Sequence, residues 1–381
     1  MKKIIFAVTT DLSYDQRMLR TCRTLAAAGY GITIIGRRKP ESKHLGHEPY
    51  TQKRLRCFFH RGWVFYAEFN TRLFFNLLFS TADAICACDT DTLPAVWLAS
   101  MLKKTIPVYD SHEYFTQVPE LLHRPVTRKF WESIERFIIP KLKHCYTVSK
   151  SYARQLEKQY GTKFAVVRNI SRLEDIPEPE IWPDLPVPYL IYTGALNEGR
   201  GLEEAIEALR HVNCNLLICG DGDIKEKLEK QIRTARLADQ VKLAGYIAPE
   251  RLRRLTAGAM AGLNMLRNDS PSYYYSLANK FFDYMHAGIP QICSNFPEYQ
   301  VINANRQVAL LCELSAASVE DAIRKLLEDP NLKRRLRNNA LAMRNEYNWQ
   351  KEGHALVDVW DKVFYTRGVP EEKLSRKETI K

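Results

Sequence analysis

Asn279, Lys280 and Asp283 open a short helical segment inside the stretch NDSPSYYYSLANKFFDYMHAGIP, residues 268–290. Pro271 and the polar residues before it mark a loop. Phe281, Phe282 and Met285 fall near helical spacing, and Gly288 with Pro290 ends the helix. A helix N-terminus offers unpaired N–H groups and a partial positive charge, so it suits a phosphate. Lys280 adds a full charge there, and Asp283 is a ready acceptor for sugar hydroxyls. The same residues also describe an ordinary crossover helix with a solvated Lys–Asp pair, and alone the stretch favours that plainer description.

Four other groups have the types needed for chemistry. Asp110-Ser111-His112-Glu113 follows an apolar run that predicts a central strand, where a ligand in the crevice would meet the imidazole. Capping a loop or bonding a carbonyl serves such a His equally well. Asp11, Asp15 and Arg17 follow the first apolar run at the same sheet edge; ligand contact and helix capping with a solvated Arg stand level. In TGALNEGRGL, Gly194, Gly199 and Gly201 let backbone approach a phosphate, and Arg200 can pair with it. A flexible turn with a solvated Arg is the alternative. Gly220 and the pair Gly245-Tyr246 end two further strands. Asp89-Thr90-Asp91 has the form of a metal site but lies in the first half, and reads as a loop and helix cap. Cys86 and Cys88 share a strand face, with no second pair or nearby His to complete a zinc set.

These residues need parallel strands to carry them. With 381 residues the chain exceeds the size at which single cores stop growing, so two domains are expected. Ile4–Val8 is a continuous apolar run, as a strand buried on both faces requires. Strand and helix patterns alternate through residues 1–170. Five prolines crowd residues 171–188, as in a linker. A second α/β series fills 189–349. A closing helix follows over about 350–366, and a charged tail over 368–381 is expected to be disordered. The fold class is α/β, with two Rossmann-like doubly wound domains facing across a cleft.

The landmarks TTDLSYDQRMLR, YDSHE, TGALNEGRGLEEAI, CGDGD, VKLAGYI and SLANKFFDYMHAGIPQI occur in that order over the two halves. In this the chain resembles the GT-B glycosyltransferases, most closely retaining family 4 and its bacterial members for surface polysaccharides. The resemblance implies that the second domain binds a nucleotide-diphosphate sugar and the first binds the acceptor. It also implies that the last helix packs back on the first domain and that the anomeric configuration is retained. Donor contacts then fall on Gly194, Arg200, Gly220, Gly245, Tyr246, Tyr275, Asn279, Lys280 and Asp283. Acceptor contacts fall on Asp11, Asp15, Arg17, Asp110 and Glu113. His112, Arg200 and Lys280 carry catalysis. The family's two spaced Glu residues fall on Tyr275 and Asp283, the first a departure. Its usual Arg after the first loop Gly is Ala195, with Lys280 in place to supply the charge. No metal or other cofactor is expected, the nucleotide sugar being a co-substrate.

Charge adds a partner. Residues 1–170 carry 27 Lys and Arg against 14 Asp and Glu, a net of +13; residues 171–381 carry 29 against 30, a net of −1. Such asymmetry points to an acidic partner. The expected one is an anionic membrane surface bearing a saccharide or lipid-linked acceptor, met through the charge of Arg54, Arg56, Arg61 and Arg72 around the aromatic stretch 58–79. For the aromatics themselves, packing under the first-domain sheet is favoured over insertion. No nucleic-acid motif is present. No apolar run reaches the ~18 residues of a membrane span, and no signal peptide opens the chain, so a cytoplasmic, peripheral protein is expected. A nucleotide-sugar epimerase of the same fold is the alternative function, and a nucleic-acid-binding protein ranks below both.

Overall fold

The computed structural model describes residues 1–13 and 15–365. The tail expected over 368–381 lies outside them. Seven strands form the first sheet: β1 (Lys3–Ala7), β2 (Gly31–Arg38), β3 (Thr51–Arg56), β4 (Ala84–Cys88), β5 (Ile106–Ser111), β6 (His144–Thr147) and β7 (Phe164–Val166). Six form the second: β8 (Tyr189–Thr193), β9 (Asn215–Cys219), β10 (Val241–Gly245), β11 (Ala261–Asn264), β12 (Gln291–Ser294) and β13 (Ala309–Cys312). The orders are β3-β2-β1-β4-β5-β6-β7 and β10-β9-β8-β11-β12-β13, and neighbouring strands pair in parallel. Both are doubly wound, and in both the order reverses after the first strand. The crevice for a ligand therefore lies beyond the carboxyl ends of β1 and β4, and of β8 and β11.

The continuous apolar runs are explained by burial from both sides. On one face of the first sheet, Ile4 and Phe6 meet the helix Gln16–Ala27 through Met18, Cys22 and Leu25. The closing helix, Trp349–Tyr365, seals the same face: the Phe6 and Trp360 rings lie 5.4 Å apart, and Trp349 Nε1 donates to Thr24 Oγ1 at 2.9 Å. On the other face lie the helices Gly62–Leu78, Leu93–Lys103 and Pro125–Ile138. Residues 167–188 cross to the second domain without helix or strand.

Local differences from the sequence pattern have local causes. Val166–Asn169 reads as strand, yet β7 stops at Val166. The backbone N–H of Arg168 leaves the sheet to donate to Glu352 of the closing helix at 2.8 Å. The helix with Trp131 begins earlier than its apolar pattern, because Pro125 supplies a first-turn start. Of the aromatic stretch, Phe65 and Phe69 pack under the sheet, while Phe58, Trp63 and Phe79 are exposed. Arg54, expected on the outer surface, turns inward to Asp11 at 3.2 Å.

Candidate active site

β4 and β5 end side by side, and their loops build one charged cluster. Arg17, on the first turns of the helix Gln16–Ala27, places Nη2 2.8 Å from Asp110 Oδ1. Asp110 is fully buried, and its Oδ2 lies 2.9 Å from His112 Nε2. Asp89 accepts from the His112 backbone N–H at 2.8 Å and sits 3.6 Å from Nδ1. Burial opposes the charge on Asp110, yet Arg17 and then His112 outweigh it and hold the carboxyl below its ordinary value. Burial likewise opposes an imidazolium, but Asp110 and Asp89 raise His112 above its ordinary value despite Arg17. The ring is thus held between Asp110 and Asp89 at the crevice, and its charged form is favoured over that of a free imidazole, while burial pushes Asp89 itself up to about 7.

Asp89 was not legible as a site residue. Its backbone is left-handed, with φ 62°, which a non-glycine residue adopts at a cost. The expectation that Asp89-Thr90-Asp91 caps a helix is corrected. Thr92 is the N-cap and makes no side-chain bond there, whereas Asp89 holds His112 and Asp91 accepts from Thr9 Oγ1 at 2.6 Å. Thr90 Oγ1 donates to the buried Glu135 at 2.6 Å, anchoring this loop to the helix behind it.

Asp91 yields a pH prediction. Burial first, then the neighbouring Asp89, pushes its carboxyl up to about 7 from 3.8. In that window the folded protein binds a proton that the unfolded chain does not, so this group's contribution falls as pH rises. Asp91→Asn should therefore flatten the fall of the unfolding midpoint between pH 4 and about 7. Parallel midpoint profiles for variant and parent would exclude it.

The structure employs two of the expected acceptor carboxylates internally. Asp15 caps its helix, accepting from Met18 N at 3.0 Å and Thr10 Oγ1 at 2.7 Å. Asp11 accepts from Ser13 N at 3.0 Å, from Ser42 Oγ and from Arg54. Arg17 and Asp110 are committed to each other. Glu113 stays exposed at the cleft mouth, within electrostatic reach of Arg200 from the other domain.

In the second domain, the loops after β8 and β9 touch. A Cβ at Gly220 would lie 1.8 Å from the Gly194 carbonyl oxygen, so only glycine fits this approach. The side of Gly194 faces Lys280, whose Nζ would be 3.6 Å from a Cβ placed there. Neither cation is solvated as the sequence led one to expect. Lys280 Nζ lies 3.5 Å above the Tyr192 ring, and the Arg200 guanidinium 5.0 Å above that of Tyr273. Burial, then repulsion by Arg200, drives Lys280 well below its ordinary value. Among the described residues neither makes an ion pair, and the buried Arg200 Nε has no hydrogen-bond partner. The helix Asn279–His286 starts beside them without a side-chain cap; the Phe281 N–H donates to the Ala278 carbonyl at 3.1 Å, which leaves those of Asn279 and Lys280 for a ligand. Tyr192 and Tyr273 are thus further site residues, and nothing in a buried strand or a tyrosine run singled them out.

Three of the positions expected to contact a donor have distinct settings. Asp283 accepts from Ser171 Oγ at 2.7 Å, leaving its second oxygen for another donor. The Tyr246 ring is exposed beyond Gly245, whose φ of 65° turns the chain there. Tyr275 is given a different task from the Glu it replaces: its ring packs on the first domain's core, and its carbonyl accepts from Ser149 Oγ at 3.3 Å. As to metals, Cys88, Asp110 and His112 bring ligand-type atoms within 4.8 Å of one another. The guanidinium 2.8 Å from Asp110 opposes a cation there.

The chain is similar to known proteins along both halves. The family description Glycosyltransferase Family 4 matches residues 16–172, and Glycosyl transferases group 1 matches residues 180–343. Alpha-D-kanosaminyltransferase of Streptomyces kanamyceticus is 24% identical over 184 residues, 46% of each chain. The match thus spans about half the length of that curated relative. Sucrose-phosphate synthase of Thermosynechococcus elongatus superposes with a TM-score of 0.80 at 18% identity, over 96% of this chain and 100% of that one. The Anabaena HepE protein, solved with UDP and glucose, gives 0.75 at 14% identity, over 95% and 100%. With one family description on each half and the fold shared along nearly the whole chain, the protein belongs to the GT-B glycosyltransferases of family 4 type.

Proposed function

We propose that the chain is a hexosyltransferase. It moves a sugar from a nucleotide diphosphate to a saccharide or lipid-linked saccharide in cell-surface polysaccharide synthesis, with retention at the anomeric carbon. The observation that carries this is the pair Arg200 and Lys280, two half-buried cations with no carboxylate partner among the described residues, beside a helix start without a side-chain cap. Cleaving a sugar–phosphate bond leaves negative charge on the diphosphate. Preorganised cations and N–H groups in a site shielded from water stabilise that charge as it develops. They supply what a divalent metal supplies in other transferases, and the reading is metal-free. The UDP and glucose bound by the Anabaena protein support the nucleotide-sugar class of donor. Asp283 takes the ribose hydroxyls with its free oxygen, Tyr246 lies against the base, and the His112 cluster faces the reacting carbon. The acceptor enters over the first domain at the inner face of the membrane. Among the described residues no helix is long and apolar enough to cross it.

Calorimetry and turnover separate the roles. Asp283→Ala should weaken binding of the nucleotide diphosphate about tenfold, the loss of one hydrogen bond to a charged group. His112→Ala should leave that binding near the parent value and lower transfer. Transfer should persist in EDTA, and nucleotide diphosphate should be released only when acceptor is added, unlike in an epimerase. Loss of nucleotide affinity in His112→Ala with none in Asp283→Ala would reverse the assignment.

A further inference from the structure

The outer helical layer of the first domain is apolar on both sides. The helix Pro125–Ile138 buries Trp131 and Ile138, yet Val126, Phe130 and Phe137 are exposed along a second line. Its neighbour Leu93–Lys103 exposes Leu98, Met101 and Leu102. Trp63 and Phe75 on the helix Gly62–Leu78, and Phe79 just after it, are exposed, with Trp63 81% and Phe79 85% accessible. Phe58 and Phe59 precede this helix. Of the 17 large hydrophobics exposed among the described residues, 11 lie in residues 58–137. The three helices share one face of the sheet and pack on one another: Tyr66 meets Trp131 at 5.2 Å, and Trp97 meets Phe137 at 5.4 Å. Exposed hydrophobics scattered singly need no cause, whereas a concentration on one layer marks a surface that is covered.

Charge identifies what covers it. Residues 51–80 carry five Lys and Arg against one Glu, and residues 119–143 carry six against three, of which Glu135 is buried. Between the edge strand β3 and the helix Gly62–Leu78 lies a cavity of about 530 Å³. Lys53, Arg56 and Arg72 line it together with Phe75 and Phe79. Arg72 bonds Glu68 at 2.7 Å and lies over Phe58, but Lys53 and Arg56 have no carboxylate partner among the described residues. A second copy of the chain would bring the same positive charge against it. An anionic bilayer offers phosphates to the cations and acyl boundary to the aromatics.

We propose that this face docks on an anionic phospholipid bilayer, with a headgroup phosphate seated in the cavity of Lys53, Arg56 and Arg72. The surface is wider than the aromatic stretch alone and includes the outer line of Val126, Phe130 and Phe137. Docking there rests on the lipid-linked acceptor reading for its purpose only, since binding is measured without donor or acceptor.

The test is sedimentation of the full chain with phosphatidylcholine vesicles, with and without phosphatidylglycerol. Binding should require the anionic lipid and fall steeply toward roughly 0.5 M salt, where the screening length is a few ångströms. Lys53→Gln with Arg56→Gln should weaken it about 30-fold, and Phe75→Ser with Phe79→Ser should weaken it as well. Arg334→Gln with Arg335→Gln, on the second domain, should leave it unchanged. Equal sedimentation with both vesicles, none with either, or full binding by the Lys53/Arg56 variant would overturn the proposal. So would a concentration-dependent dimer that the Phe75/Phe79 variant abolishes. Calorimetry of nucleotide binding on the same proteins keeps the two readings apart: vesicle binding lost with nucleotide binding intact fails docking alone.

Discussion

Arg200→Ala and Lys280→Ala should each lower kcat/KM for transfer by about 10²–10³-fold, the loss expected when one preorganised donor to a developing anion is removed. The size follows from the surroundings. Lys280 sits over Tyr192 and Arg200 over Tyr273, each partly shielded from water. Among the described residues no carboxylate bonds either one, and burial with repulsion by Arg200 disfavours the charge on Lys280. An arriving diphosphate relieves that repulsion, and the charge formed on bond cleavage relieves it further. The same physics sets the sign of the stability effect. Lys280 has a folded value depressed below its unfolded one, so its charge opposes folding at every pH where the unfolded chain is protonated. Lys280→Met should therefore unfold at a temperature equal to or above that of the parent without nucleotide, and gain less from added nucleotide diphosphate. Arg200→Lys should not restore activity, because an ammonium cannot reproduce the planar two-donor contact with phosphate. Turnover at the parent level in both alanine variants would remove the donor assignment. A lower melting temperature in Lys280→Met would show that the lysine serves the fold.

How much of this site could be read beforehand depends on where each residue's partners lie in the chain. The helix start carrying Lys280 and Asp283 was legible because a cation and a carboxylate fall within five residues of Asn279 and Gly288 with Pro290 marks the end, but the stretch alone favoured a solvated pair, and their donor roles were expected only from the resemblance. The parallel sheets were legible because burial on both faces leaves unbroken runs such as Ile4–Val8. Asp89 was not, since its partner His112 lies 23 residues away and the two meet only because β4 and β5 are neighbours. The inward turn of Arg54 toward Asp11, 43 residues distant, had no local signal either. Tyr192 and Tyr273 gave none, because an aromatic ring in a core and one beneath a cation have the same sequence pattern. The outer line Val126, Phe130 and Phe137 was hidden by the inner one: a helix apolar on two sides reads simply as buried.

Arg17→Met should destabilise the first domain by about 3–5 kcal/mol, because it leaves Asp110 charged and buried without its cation. Asp110 is fully buried and Arg17 is 7% accessible, so water cannot take over the lost contact. The charged state of Asp110 is maintained against burial by Arg17 first and His112 second. In the parent its folded value lies below the unfolded one. The pair's contribution is thus present above the unfolded value and lost as pH falls through the folded value. Arg17→Met should lack that acid step. His112 runs the other way: raised by Asp110 and Asp89 against burial, it contributes below its unfolded value and loses that contribution as pH rises through the folded one. A second substitution separates stability from chemistry. Arg17→Met with Asp110→Leu removes both buried charges and should recover most of the lost stability, since a buried ion pair replaced by apolar groups is often neutral or better. It should not recover transfer. His112 Nε2 has then lost the carboxylate 2.9 Å away, and only Asp89, 3.6 Å from Nδ1, still holds the ring. Unfolding midpoints of the parent, both single variants and the double variant, set beside their turnover, decide it. A double variant as unstable as Arg17→Met would mean the helix packing, and not the stranded charge, sets the loss. A double variant with parental turnover would mean the His112 clamp has no part in the reaction.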